Sequence, residues 1–308
     1  MEVKAQRDET LKQLYQQVQN SGSVFLSPQD LQTFGIQASE AGIIEDGTLQ
    51  FNPCFFRPYP ERVLENYPID PQELPSIDTL NNRPDWEAIY ELMKNGPLSK
   101  SHEEAVEYAN FEVKDLTEEE EDDRWYLKAA RTHRHIDGQI LAANRKGRDD
   151  VFGFYELGPS RLLWRTITRL ESMRSLVEYG TDGPQWRAQD LREDSSEEDP
   201  QPHAILTTLA SVAADDADKC LTSHEVNAIL ATMIVRTSDG PFQDFRTHPI
   251  LVLSYTGRKH GRIIQACLDD QSLTLQYSPL WSFEDDDTAP VELFIRYMIS
   301  ETVEPEVF

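Results

Sequence analysis

The sequence predicts an α+β protein, with a helix-rich N-terminal and middle region followed by a C-terminal α-β-β-β-α module built on an antiparallel sheet. Three observations predict it. Apolar residues recur at helical spacing over 3–19, 117–145 and 159–179. Three strand-like runs, Ile250 to Tyr255, Arg262 to Leu268 and Leu273 to Tyr277, follow one another with short connections that only antiparallel hairpins allow. Helical patterns flank those strands, at 205–212 and 223–234 before them and from Pro290 after them. The predicted organisation is a mainly helical part over 1–179, with a Pro-rich segment at 52–84, an acidic linker over 180–202, and the α-β-β-β-α module over 203–308.

In chain order, Val3, Leu11, Leu14, Tyr15 and Val18 place a helix over 3–19, polar enough to read as a partner-docking or fraying arm. Ser27-Pro28 before Asp30 and Leu31 is an N-cap with proline at the first helical position. Ile43-Ile44, Asp46-Gly47, Leu49 and Phe51 read as a hairpin. Pro53, Pro58, Pro60, Pro68, Pro71, Pro75 and Pro84 keep the next stretch irregular, because proline removes backbone donors, while Phe55, Phe56, Tyr59 and Tyr67 imply that it packs on something. Thr117 and Glu120 form a capping-box pattern for a helix reaching about Arg145. Leu163, Ile167, Leu170, Met173 and Val177 make the apolar stripe of the 159–179 helix. Gly, Pro, Ser and acidic residues crowd 180–202, which reads as a surface linker. In the C-terminal module the helices are expected to cover one sheet face.

Charge excludes some functions. The 308 residues carry 29 Lys+Arg and 55 Asp+Glu, a formal net charge of −26. Such a field repels phosphates and anionic headgroups, so generic nucleic-acid binding and membrane binding are not expected. The charge is uneven: residues 1–123 are net −17, 124–192 net +5 and 193–308 net −14. A basic middle between acidic ends either neutralises its neighbours internally or accepts a small anionic ligand or an acidic partner. No run approaches the roughly 18 apolar residues of a membrane span. The first residues lack the apolar stretch of a secretory signal. Cys54, Cys220 and Cys267 are odd in number and far apart, which fits a reducing compartment. The expected location is cytoplasmic or nuclear.

Motifs for common chemistries are missing. There is no G-x-x-x-x-G-K-S/T, no G-x-G-x-x-G after a strand, no G-x-S-x-G and no C-x-x-C. His224-Glu225 opens like a zinc-protease helix, but Ala228 stands where the second ligand belongs. Asp215-Asp216-Ala217-Asp218 resembles a calcium loop without its turn glycine. Arg262-Ile263-Ile264-Gln265-Ala266 lacks the E-x-K of strand-borne metal nucleases. No metal and no cofactor is implied.

The remaining candidates are few. His133 and Asp137, four apart on a helix, share a face and are the candidate catalytic pair, whereas His135 points away. Cys220 and His224 are also four apart, but Cys220 precedes the Ser223 cap, so helical spacing does not place them together. Arg161, Arg165 and Arg169 form an i, i+4 stripe, and Arg258, Lys259 and His260 form a basic hairpin tip. Both are candidate anion- or partner-binding groups, because guanidinium forks match carboxylates and phosphates.

Three runs of the last quarter of the chain carry a likeness: His248-Pro249-Ile250-Leu251-Val252-Leu253-Ser254, His260-Gly261-Arg262-Ile263-Ile264-Gln265-Ala266, and Ala289-Pro290-Val291-Glu292-Leu293-Phe294-Ile295-Arg296-Tyr297. In these the chain resembles a group of uncharacterised proteins of filamentous fungi. The resemblance implies a fungal source and a recurrent C-terminal module, and supplies no catalytic residue. The functional expectation is a soluble intracellular protein-binding or regulatory protein whose partner is another protein. The alternative is an accessory enzyme of fungal specialised metabolism with a pocket that motifs do not reveal.

Overall fold

The computed structural model describes residues 2–61, 129–130, 132–133, 136, 162–164, 186–194, 200–212, 220–238, 241–257, 259–269, 272–285 and 287–304. Helices and a mixed sheet are both present, as an α+β chain requires. The sheet runs β2(Ile36–Glu40), β12(Ser272–Tyr277), β11(His260–Asp269), β10(His248–Thr256), β8(Ala204–Ala210), β7(Trp186–Asp194) and β6(Leu162–Trp164), with β13(Trp281–Ser282) beside β11.

The three C-terminal strands and their two antiparallel hairpins lie where the sequence places them. Around them the sheet is mixed. β8 runs parallel to β10, joined through β9(Leu221–Thr222) and α3(Ser223–Ser238), and β2 runs parallel to β12. Residues from both ends of the chain therefore share one sheet.

Alternation along the central strands sends successive side chains to opposite faces, and both faces are covered by helices rather than one. On the first face Leu206, Ile250, Val252, Ile264 and Leu275 meet α1(Glu2–Asn20) and α3. Helix α1 contributes Leu11, Leu14, Tyr15 and Val18, spaced i, i+3, i+4, i+7, and is core rather than a docking arm. Full burial of each such aliphatic side chain contributes about 1.5–3 kcal/mol. On the second face Ile205, Leu251, Leu253 and Ile263 meet α4(Val291–Met298), Phe55, Phe56 and Phe283, and the helical residues Ala129, Ala130 and Ile136.

Three expectations fail for identifiable reasons. Residues 205–212 read as a helix, but 204–210 are strand β8, buried along its whole length. A continuous apolar run with β-branched threonines, enclosed on both faces, has no period to separate strand from helix. Residues 162–164 lie in the expected 159–179 helix, yet they pair with 192–194 as β6. Residues 186–194 fall in the expected linker, yet they form β7. Their charges suggest solvent, but Asp190, Arg192 and Glu193 are buried. The helix-rich middle is therefore not supported, and the Thr117 capping box and most of the Pro-rich segment lie outside the described residues.

The N-terminal turns follow local chemistry. Ser27 and Asp30 make a reciprocal capping box at the start of α2(Pro28–Thr33). The hairpin of β3(Gly42–Ile43) and β4(Leu49–Gln50) turns through Gly47, whose φ of +78° suits a residue without a β-carbon. Beyond it the described Pro-rich residues pack without long strands, as expected. Two glutamines clamp them: Gln265 accepts from Phe55 N–H at 2.8 Å and donates to Pro53 C=O at 2.8 Å, and Gln276 does the same for Asn52. β5(Phe56–Arg57) pairs with β14(Glu301–Thr302).

Candidate functional site

The first sequence candidate is His133. Its Nε2 lies 3.1 Å from Asp190 Oδ2, with each side chain only 5% exposed. The distance is that of an ion pair, without the alignment of a hydrogen bond. The ring stands 5.5 Å from that of Tyr255. The carboxylate that reaches His133 comes from β7, and Asp137 lies outside the described residues. The bulge at Ala188/Asp190 puts Asp190 on the face of β7 where His133 sits. Neither residue lines the two clefts described below.

The basic candidates separate. Arg161, Arg165, Arg169 and Arg258 lie outside the described residues. Lys259 adopts φ +57° in the β10–β11 turn, and its carbonyl accepts from Phe283 N–H at 2.7 Å. His260 is the first residue of β11 and faces Thr256 and Ser282 across the ladder. Both are half-buried in a tight turn.

Other buried charges hold the sheet together. Arg236 meets Glu193 at 2.5 Å, donates to the carbonyls of Pro202 and His203 at 2.9 and 3.2 Å, and lies over the Phe242 ring. Arg262 meets Glu225 at 3.3 Å. Glu225 also accepts from Thr222 N–H, while Thr222 Oγ1 accepts from Glu225 N–H, so the cap of α3 is Thr222 rather than Ser223. Arg7 donates to the carbonyls of Phe245 and Gln243 at 2.6 and 2.7 Å. Each guanidinium is committed to the protein.

Burial sets the titration of the neighbouring groups. His248 is pushed down to about 3 by burial, with Arg236 and Arg7 adding repulsion. His224, stacked on Trp186, is pushed down to about 4 by burial against the pull of Glu225. Burial raises the Cys267 thiol to about 12, with Asp269 adding to it, and also raises Cys54, so neither is a ready nucleophile. Among the described residues, no group of His, Cys, Asp or Glu could hold a metal ion. No described helix is long and apolar enough to cross a membrane.

Two open clefts lie among the described residues. One, of about 590 Å³, is lined by Asp46, Thr48, Arg57, Glu61 and Arg296. Its arginines are already paired, Arg296 with Tyr59 C=O at 2.6 Å and Asp46 at 3.3 Å, and Arg57 with Glu301 at 3.1 Å. The other, of about 430 Å³, runs between α2 and β2 and is lined by Pro28, Gln29, Gln32, Ile36, Gln37 and Ala38.

That second groove borders β2, the outermost strand of the sheet among the described residues. Among the described residues β2 pairs only with β12. Ala41 N–H bonds to Tyr277 C=O at 2.8 Å, which fixes the parity of the ladder. Successive residues of a strand present their N–H and C=O to opposite edges, so those of Ala38 and Glu40 point away from β12. Just beyond, Ile43 and Ile44 on the hairpin are 50% and 48% exposed, the only large hydrophobic side chains so exposed among the described residues. We take this edge, its groove and the Ile43–Ile44 pair as the candidate site. The alternating run Ile36-Gln37-Ala38-Ser39-Glu40 after Gly35 is the sequence signal for β2, and it is short enough to pass as a loop. No family model, curated protein or solved structure matches the chain.

Proposed function

We propose that this chain is a protein-binding protein that receives an extended segment of its partner along the open edge of β2. The observation that carries this reading is the edge itself: two outward-facing peptide groups beside an apolar-floored groove and two exposed isoleucines. Exposed strand edges bind by adding a strand, with main-chain hydrogen bonds giving affinity and side-chain pockets giving selectivity. Edges without such a role are normally blunted by proline, lysine or a covering loop. β2 contains neither residue. The enzyme alternative rests on His133 and Asp190, and their burial away from both clefts makes it the weaker reading.

Selection of displayed random peptides on the full chain, with counter-selection on Ala38→Pro, tests the proposal. Proline on an edge strand removes an outward N–H without breaking the ladder to β12. Enriched peptides are expected to slow hydrogen exchange at Ala38 and Glu40. Protection confined to another surface, or no enrichment, would refute it.

A further inference from the structure

The composition around the edge bears on what occupies it. From Gln13 to Phe56 the chain has no Lys, Arg or His, and four carboxylates, Asp30, Glu40, Glu45 and Asp46. This stretch supplies α2, β2 and the β3–β4 hairpin, so these described elements along the edge are acidic or neutral. Asp30 caps α2, whose Pro28, Gln29 and Gln32 line the groove, and Glu40 ends β2 with its side chain exposed. Asp30 accepts from both Ser27 N–H and Ser27 Oγ–H, at 2.8 and 2.6 Å, which holds its carboxyl below the usual range and keeps it charged. Asp46 is in part answered by Arg296, whereas Glu40 and Glu45 make no ion pair among the described residues.

Resting on the strand-addition reading, we infer that the occupant is a basic extended segment of a different protein, with Lys or Arg alternating with apolar residues. Alternation follows from the strand: one set of side chains enters the groove over Ile36 and Ala38 and the other meets solvent, while Glu40 and the hairpin's Glu45 lie together past one end of the groove. A second copy of this chain is disfavoured, because it would bring an identical edge without a cation and a further −26 of charge. An acidic segment is disfavoured for the same reason.

The test uses the full chain and three labelled ten-residue peptides, alternating Val-Lys, Val-Ser and Val-Glu, read by fluorescence anisotropy. The Val-Lys peptide is expected to bind about tenfold tighter than Val-Ser at low salt, and the gap should close in high salt as screening grows. Glu40→Gln with Glu45→Gln should remove most of the preference. Generic attraction to an acidic chain is separated by two controls: Ala38→Pro and a Val-Lys peptide N-methylated at alternate amides should each abolish binding. If they do not, or if no peptide binds, strand addition itself fails. If all three peptides bind alike and Ala38→Pro abolishes each, strand addition stands and the basic occupant is overturned. Sedimentation showing a dimer that Ala38→Pro dissolves would overturn it in favour of a second copy.

Discussion

The buried interior of the sheet and its β2 edge handle polar groups in opposite ways. In the interior, β7 sends Asp190 to one face, beside His133, and Glu193 to the other, where it meets Arg236. The glutamines of β11 and β12 use both ends of their amides on the 52–55 backbone. At the edge, peptide groups point outward beyond the last described strand and the charges are of one sign. Burial explains the first pattern, since a buried unpaired charge costs several kcal/mol. It does not explain the second, which is why the edge, and not the more eye-catching buried cluster, is read as the working surface.

The sharpest way to break this comparison is to remove a central counter-charge. Glu193→Ala leaves the Arg236 guanidinium buried without its carboxylate and should cost about 3–5 kcal/mol in urea unfolding. Replacing both with apolar residues, Glu193→Leu with Arg236→Met, should recover much of that loss. If Glu193→Ala is as mild as Glu40→Ala at the edge, the contrast between the two regions fails.

Titration probes the same contrast without mutation. His224 and His248 have folded pKa values of about 4 and about 3, below the ordinary 6.5. The neutral form is favoured in the folded state, so their contribution is complete above about pH 6.5 and is lost as pH falls toward the folded values. Each removes about 1.4 kcal/mol per pH unit within that window, so together they lower stability by about 2–3 kcal/mol between pH 6 and 5. Urea midpoints measured against pH check this, and His248→Gln should flatten the slope. A flat profile would mean that both rings are solvated.

Packing at the centre offers a smaller effect. A β-carbon on Gly261 would stand 2.9 Å from the Ser254 carbonyl oxygen and 3.1 and 3.2 Å from Phe283 and Phe294. The nearest neighbour is backbone and cannot swing aside. Gly261→Ala should therefore cost about 1–3 kcal/mol, by thermal or urea unfolding.

Which parts were legible in the sequence follows from the same physics. α1, α2, the β3–β4 hairpin, α3, α4 and the two C-terminal hairpins announce themselves by caps, turns and periodicity, which are local. β6, β7 and β8 do not, because what makes each a strand is a neighbour far along the chain. Glu193 reads as surface until Arg236, 43 residues on, is seen beside it. His133 was legible as a group with a carboxylate partner, but not that the described partner is Asp190. The candidate edge was invisible for a further reason: an edge is defined by the strand that is missing from one side, which only the assembled sheet reveals.

The smallest expected effect on stability sits at the edge. Ile43 and Ile44 are half exposed and add little to either core, so Ile43→Ser with Ile44→Ser should change the unfolding free energy by no more than about 0.5 kcal/mol. The turn that carries them is held by backbone bonds, Ile44 N–H to Thr48 C=O and Gly47 N–H to Ile44 C=O, both at 2.9 Å, which serine leaves intact. The hairpin should therefore keep its shape while its apolar tip is lost. If the tip serves only the fold, the binding of an edge peptide will be unchanged. If it extends the groove, as its position just past β2 implies, the affinity of the Val-Lys peptide should fall several-fold with no change in the urea midpoint, so that function and stability separate at the edge as they do not at the centre.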